Sequence, residues 1–327
     1  MITEKLKPTN VNIMRCASRL KAGGLVAFPT ETVYALGADA TNGKAVKKVY
    51  EVKGRPLDKP LIVAVSKKQD IDKVAKNIPQ AARVLIDKFM PGALTLLLDR
   101  ADCIPDEVTA GTNTVAVRIP DNETALKLIE LSGRPIVVPS ANTSDKPSPT
   151  LASHVIDDLD GKIEFVLDGG ASKIGIESTI VDTRTDPPTV LRGGGVSSDE
   201  IEAVIGKVEF KREPTYATSG YVPRAEVLFS AMYDGMADNI NARYDKLTSQ
   251  GRSVVILCLD DNAEHYGQRN LYTVGKTYSD YAHNIFALLR KADADNFDTV
   301  IAEGVESKGI GSSLINRLIK VSGGQII

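Results

Sequence analysis

What most restricts this chain is the shortness of its apolar runs. Leu25 to Phe28, Leu61 to Val65, Leu94 to Leu98, Val115 to Ile119, Ile136 to Val138, Phe165 to Leu167 and Thr179 to Val181 are each three to five residues long. Runs of that length read as strands of a buried sheet, and they fall far short of the roughly 20 residues a membrane-spanning helix needs. Between them lie stretches with helical periodicity. One runs from an Asn10 cap to Gly23, with Val11, Met14 and Arg19 to Leu20 on successive turns. A second is capped by Asn42, carries Val46, Val49 and Tyr50 inward, and stops near Gly54. Others cover Gln80 to Phe89 before Pro91, Glu123 to Leu131, Leu151 to Leu159 with Thr150 as cap, and Asp199 to Ile205. Strands and helices mixed in this way predict an α/β or α+β domain around a mixed sheet.

The pattern then breaks. Lys207 to Arg224 holds few aliphatic residues, two prolines in KREPTYATSGYVPR, and no clean period. It reads as an interdomain linker. Beyond it, strand-like Val227 to Phe229, Val254 to Leu259 and Thr299 to Ile301 alternate with helices, the clearest being Tyr281 to Ala292 and Ser312 to Ile319. That alternation predicts a smaller doubly wound α/β domain. The expected division is therefore a first domain at 1–206, a linker at 207–224 and a second domain at 225–327.

Composition narrows the function. At 327 residues the chain is long enough for two domains, and its net charge of −2 argues against a general polyanion binder. Cys16, Cys103 and Cys258 are scattered without CxxC spacing, so neither a disulfide framework nor a zinc site is expected, and a reducing cytoplasm is the simpler setting. The three histidines, His154, His265 and His283, form no recognisable motif with a nucleophile.

Four polar groups sit where sheets hold ligands. Pro29-Thr30-Glu31-Thr32 follows the first strand, where it reads either as a hydroxyl-bearing mouth or as a self-bonded turn. Lys53-Gly54-Arg55 and Lys59 place three cations at a helix C-terminus, suited to phosphate oxygens or merely to the helix dipole. Ser140-Ala141-Asn142, Ser144 and Ser148 offer neutral donors between a strand and a helix. Finally, Thr114 and Arg118 share one strand face, Glu177-Ser178-Thr179 opens another strand, and Arg192 precedes Gly193-Gly194-Gly195. An arginine on a face of valine and isoleucine must either pair with a buried carboxylate or bind an anion. The three glycines let backbone approach a ligand closely, though they lack P-loop spacing.

In this order and spacing, GGLVAFPTETVYALGADA, VYEVKGRPLDKPLIV, PGALTLLL, TVAVRIP, PIVVPSANTSDKPSPT, GIESTIVD and VLRGGG resemble the YrdC-like family. With AEGVESKGIGSSLINRLIK near the C-terminus, the whole chain is similar to the family's two-domain threonylcarbamoyl-AMP synthase members. The resemblance implies an open, twisted mixed-sheet YrdC-like domain followed by a smaller Rossmann-like one. It implies a nucleotidyltransferase that joins L-threonine, bicarbonate or CO2 and ATP, with Mg2+ and no redox cofactor, into L-threonylcarbamoyladenylate. That product passes to a tRNA threonylcarbamoyl transferase for modification at position 37, without direct tRNA binding being required. By motif, Lys53 and Arg55 are implied as catalytic and, with Lys59, Thr114, Ser140, Asn142, Ser148 and Arg192, as nucleotide-binding. Thr32, Arg118 and Ser178 are implied to hold threonine, and Tyr221 of the linker to act as a lid.

Two positions depart from the family pattern. Ala64 stands where members often have the histidine of P-L-I-V-H, and Gly220 stands at the linker's histidine position. Two rival functions remain at the sequence level, an RNA-binding module and a nucleotide or threonine sensor without turnover. A carbamoyl-transfer enzyme of the hydrogenase-maturation kind would need zinc fingers that this sequence lacks.

Overall fold

The computed structural model describes residues 2–144, 146–211 and 223–327. These form two compact units, residues 2–144 with 148–211, and residues 223–327 with 146–147. The strands of the first unit are β1 (Glu4–Leu6), β2 (Val26–Phe28), β3 (Ala35–Asp39), β4 (Ile62–Ala64), β5 (Ala75–Lys76), β6 (Leu94–Arg100), β7 (Thr114–Arg118), β8 (Ile136–Val137), β9 (Phe165–Leu167), β10 (Thr179–Asp182), β11 (Thr189–Arg192) and β12 (Glu209–Phe210). Its helices are α1 (Asn10–Lys21), α2 (Gly43–Lys53), α3 (Ile71–Val74), α4 (Gln80–Phe89), α5 (Asp106–Thr109), α6 (Glu123–Ser132), α7 (Ala152–Leu159) and α8 (Ser198–Ile205).

Eleven strands run side by side in the order β1-β9-β2-β3-β8-β4-β7-β6-β10-β11-β12, with β5 against β6. Pairing is mixed: β2/β3, β6/β7 and β10/β11 are antiparallel, while β4/β7 and β6/β10 are parallel. On one face, α2, α4, α7 and α8 bury Val46, Val49, Leu85, Ile86, Val155, Leu159 and Ile201 against the strands. On the other, α1 and α6 cover Val26, Phe28, Ala35, Ala64 and Ile136 with Ile13, Cys16, Leu20 and Leu128. That second cover stops short. Farther along the same face, Leu97, Ala116, Ile180 and Leu191 pack with Ile62 in a cluster to which no helix among the described residues contributes. Register puts Ile62, Ala64, Ala116 and Arg118 on this face, because Ile62 pairs with Ala116 and Ala64 with Arg118.

Several sequence expectations need correction. Thr9, not Asn10, caps α1, its side chain accepting from the Asn12 amide. Val11 and Met14 point to solvent, and the buried stripe is Ile13, Cys16, Ala17 and Leu20. α7 starts after Leu151 with no side-chain cap, and Thr150 instead donates its amide to His154 Nδ1 at 3.3 Å. β3 was missed because Ala35, Gly37 and Ala38 have low strand propensity; it is fully buried between β2 and β8. The stretch read as a linker from Lys207 begins within the sheet, since Val208 is buried in the core and Glu209–Phe210 pairs with β11.

The second unit contains β13 (Glu226–Phe229), β14 (Val254–Cys258), β15 (Leu271–Thr273) and β16 (Thr299–Ala302), with α9 (Met236–Ser249), α10 (Tyr278–Ala294) and α11 (Ile310–Val321). All its strand pairs are parallel, in the order β13-β16-β14-β15. This is the doubly wound arrangement the sequence predicts. Glu303 is buried just beyond β16. Its carboxylate accepts the Leu259 amide at 2.8 Å and an amide proton from Asn262, tying the turn after β14 to β16. Among the described residues no helix is long and apolar enough to cross a membrane.

The corrected face of α1 is directly testable. Leu20→Ala should cost about 2–5 kcal/mol in urea unfolding, whereas Met14→Ala should change stability by no more than about 0.5 kcal/mol.

Candidate active site

The sheet face that carries Ile62, Ala116 and Arg118, to whose cluster no helix among the described residues contributes, is the floor of the candidate site, and polar groups gather around it from loops distant in sequence. α2 carries Lys53 in its last turn and ends on Gly54, whose φ of 60° provides the left-handed cap. Lys53 is buried, and its ammonium donates to the carbonyls of Ser140 and, at 2.5 Å, Asn142. The Lys53 carbonyl in turn accepts the Ser144 amide at 2.9 Å. One side chain and one carbonyl thus clasp the turn at 140–144. An ammonium has three donors, so one remains to meet an anion. Burial and the neighbouring Arg55 pull the Lys53 ammonium down to about 7. Burial also lowers the Arg55 guanidinium, whose Nε and Nη2 donate to the carbonyls of Lys59 (3.3 Å) and Pro60 (3.1 Å). Two cations that repel each other while losing water would be stabilised by an anion beside them.

Arg118, at the end of β7, resolves the alternative posed by the sequence. Its Nη2 pairs with Glu31 Oε1, and its Nη1 donates to Thr32 Oγ1 at 3.1 Å. Arg118, Glu31 and Thr32 are 6%, 2% and 1% exposed, so the arginine is neutralised inside the protein rather than by solvent. The turn that carries Glu31 is itself anchored: Ile174 and Gly175 donate to the carbonyls of Glu31 and Thr32 at 2.8 and 3.0 Å.

Beside this group, Arg192 donates through Nε and Nη2 to the Ser178 carbonyl (3.1 and 2.8 Å) and through Nη2 to Ser178 Oγ (3.1 Å). Ser178 Oγ also meets Thr95 Oγ1 at 2.8 Å. Ser148 donates to Glu177 Oε1 at 2.7 Å. Gly194 and Gly195, after Arg192, are held to glycine by the chain's own packing. A Cβ on Gly194 would lie 2.2 Å from the Glu177 carbonyl oxygen, and one on Gly195 would lie 2.7 Å from Ala93 Cβ.

Of the residues singled out by sequence, Lys53, Ser140 and Asn142 form one bonded group, Thr32 and Arg118 a second, and Ser178 and Arg192 a third. The Ala141 amide donates to the Tyr34 carbonyl and the Tyr34 amide to Pro149, each at 2.8 Å, joining the loops of the first two groups. Lys59 takes part through its carbonyl, which also accepts the Tyr50 hydroxyl at 3.0 Å. Thr114 lies at the opposite end of β7 from Arg118, against Thr112 Oγ1 at 3.0 Å. Tyr221 lies outside the described residues. Among those described, no group of three or more His, Cys, Asp or Glu side chains could hold a metal. Sequence reasoning gave no role to Glu31 or Thr95. The signal for Glu31 was present, since an arginine among valines demands a carboxylate and Glu31 is next to Thr32.

This floor, with its loops of cations and hydroxyls, defines a YrdC-like α/β protein with a doubly wound domain appended. The Sua5/YciO/YrdC family, described as "Telomere recombination", matches residues 18–194. The family described as "Threonylcarbamoyl-AMP synthase, C-terminal domain" matches residues 196–323. The threonylcarbamoyl-AMP synthase of Pyrococcus abyssi is 41% identical over all of this chain and 98% of its own length, and that of Bacillus subtilis is 39% identical over 100% and 97%. The crystal structure of P. abyssi Sua5 complexed with L-threonine superposes with a TM-score of 0.92, covering 100% of this chain and 98% of that one. The chain belongs to this family of two-domain threonylcarbamoyl-AMP synthases, and is an enzyme of that family.

Two outcomes follow from the geometry. Gly194→Ala should displace the 177–179 backbone and lower the melting temperature by several degrees, as a loss of about 1–3 kcal/mol would. Lys53 should be largely neutral near pH 8 and regain its proton beside a bound triphosphate, so calorimetry in buffers of different ionisation enthalpy should show uptake of up to about one proton. Lys53→Met should abolish that uptake.

Proposed function

We propose that this chain forms L-threonylcarbamoyladenylate and pyrophosphate from L-threonine, bicarbonate or CO2, and ATP, as a nucleotidyltransferase supplying tRNA modification in the cytoplasm. The observation that carries this reading is the meeting, on one sheet face, of a buried Arg118–Glu31–Thr32 group with the Lys53-clasped Ser140–Asn142 loop and Arg55. The first group has the mixed polarity of an amino-acid site. The second has the charge and the neutral donors of a phosphate site.

The substrates supply the reacting groups. The threonine amine attacks the carbon of CO2, forming an N–C bond and losing a proton to give a carbamate. A carbamate oxygen then attacks the α-phosphorus of ATP, and the bond to the bridging oxygen breaks, that oxygen leaving with its electron pair in pyrophosphate. Positioning and charge neutralisation are what the protein adds. Arg55 and the remaining Lys53 donor face the phosphates, with Lys59, Thr114, Ser148 and Arg192 completing the nucleotide site. Lys53 also sets the loop from which Ser140 and Asn142 act. Thr32, Arg118 and Ser178 hold threonine, and Arg118 Nε, buried and without a partner, suits its carboxylate. Mg2+ would travel with the nucleotide, bound through phosphate oxygens and water. Tyr221 and its neighbours would close over the site. Ala64, buried next to Arg118 in register, makes any contact there apolar.

The test is pyrophosphate release by the purified chain with ATP, Mg2+ and bicarbonate. Release should require both L-threonine and bicarbonate, and serine or alanine should not replace threonine. Arg55→Ala should lower the rate by about 10²–10³ while leaving the far-ultraviolet circular dichroism unchanged. Release that ignores threonine would refute the reading.

A further inference from the structure

The hydrogen-bond polarity around Arg118 can be worked out one proton at a time. Thr30 Oγ1 lies 2.6 Å from the Val33 carbonyl oxygen, which has no proton, so the Thr30 hydroxyl proton must point there. The Thr30 oxygen also receives the Thr32 and Val33 amides, each at 3.3 Å, and meets the Thr32 hydroxyl at 2.9 Å. Thr32 Oγ1 also accepts from Arg118 Nη1. One lone pair of Thr32 Oγ1 is used by Arg118, and the other is left for a further donor. Glu31 Oε1 takes Arg118 Nη2, while Glu31 Oε2 is buried with no partner. Arg118 Nε is a buried donor, also with no partner. The unmet set among the described residues is thus one donor and one acceptor within a single bonded group, with a lone pair of Thr32 Oγ1 beside them.

Leaving such groups buried and unpaired is costly, and more so where charge is involved. A zwitterionic β-hydroxy amino acid presents the complementary set. Its carboxylate accepts from Arg118 Nε, and its ammonium and hydroxyl donate. We propose that Glu31 Oε2 is the acceptor of the substrate's α-ammonium, which makes Glu31 a substrate-binding residue that selects α-amino acids over their deaminated counterparts. This rests on the synthase reading and adds to it a residue with no role assigned above beyond neutralising Arg118. An ammonium placed there is held by a carboxylate that Arg118 fixes in place, so the nitrogen is located by a buried pair before it gives up a proton to solvent and attacks CO2 as the amine.

The experiment is calorimetric titration of the full chain, wild type and Glu31→Gln, with L-threonine and with 3-hydroxybutanoate, which keeps the hydroxyl and carboxylate and lacks the amine. Wild type should prefer threonine by at least about tenfold. Glu31→Gln should lose at least about tenfold in threonine affinity, so that its preference over 3-hydroxybutanoate falls toward one. If Glu31→Gln binds threonine as wild type does, or loses both ligands by the same factor, Glu31 acts only through Arg118 and the proposal falls. Should the variant fail to fold, the wild-type ratio decides alone: a value near one overturns the proposal. Wild type that binds no threonine at all would instead refute the synthase reading.

Discussion

A guanidinium inside a sheet of valine, alanine and leucine must be neutralised, and much of the candidate site depends on how this chain does it. Arg118 reaches from the end of β7 to Glu31 and Thr32 on the turn between β2 and β3. For the pair to survive burial, that turn must be held to within hydrogen-bonding distance of β7, because breaking a buried pair leaves an uncompensated charge. The chain meets this demand with main-chain bonds from Ile174 and Gly175 to the carbonyls of Glu31 and Thr32. Residues 174–175 lead directly into Glu177 and Ser178, so the fixing of one ion pair also fixes the approach to β10.

Lys53 does comparable work on the other loop. A buried ammonium pulled down to about 7 is an expensive element, and its two carbonyl acceptors lie in the segment that presents Ser140 and Asn142. The same residue therefore gives the turn its shape and sets a buried cation beside Arg55. Arg55, two residues on, shares the desolvation and adds repulsion. Both effects disfavour the charged forms of the two side chains. The glycine tract after Arg192 complements this, because its missing side chains let β11 and the 177–179 backbone touch and bring Arg192 onto Ser178.

The second unit applies the same physics differently. Glu303 is buried, and burial raises its carboxyl above the ordinary range, yet it accepts from the Leu259 amide and Asn262. Here a carboxylate joins two strand ends with no cation paired to it among the described residues, which suits a structural tie within a parallel sheet.

Much was determined by the sequence alone. The short apolar runs located most strands, and Gln80–Phe89 and Phe165–Leu167 came out with their observed bounds. The ordered motifs named the family, and the valine-rich surroundings of Arg118 required a partner for it. Local signals did less well where they competed: Thr9 and Asn10 are both good caps, and the alanine and glycine of β3 hid a buried strand. Only the tertiary structure decided that Glu31 is the partner of Arg118, that Lys53 holds the Ser140–Asn142 turn, and that the glycines after Arg192 pack on the protein itself. Propensity and periodicity are properties of neighbours along the chain, so a sequence displays them. Which carboxylate neutralises which arginine depends on strand order and register across 87 residues of separation, and that is fixed only when the whole sheet packs.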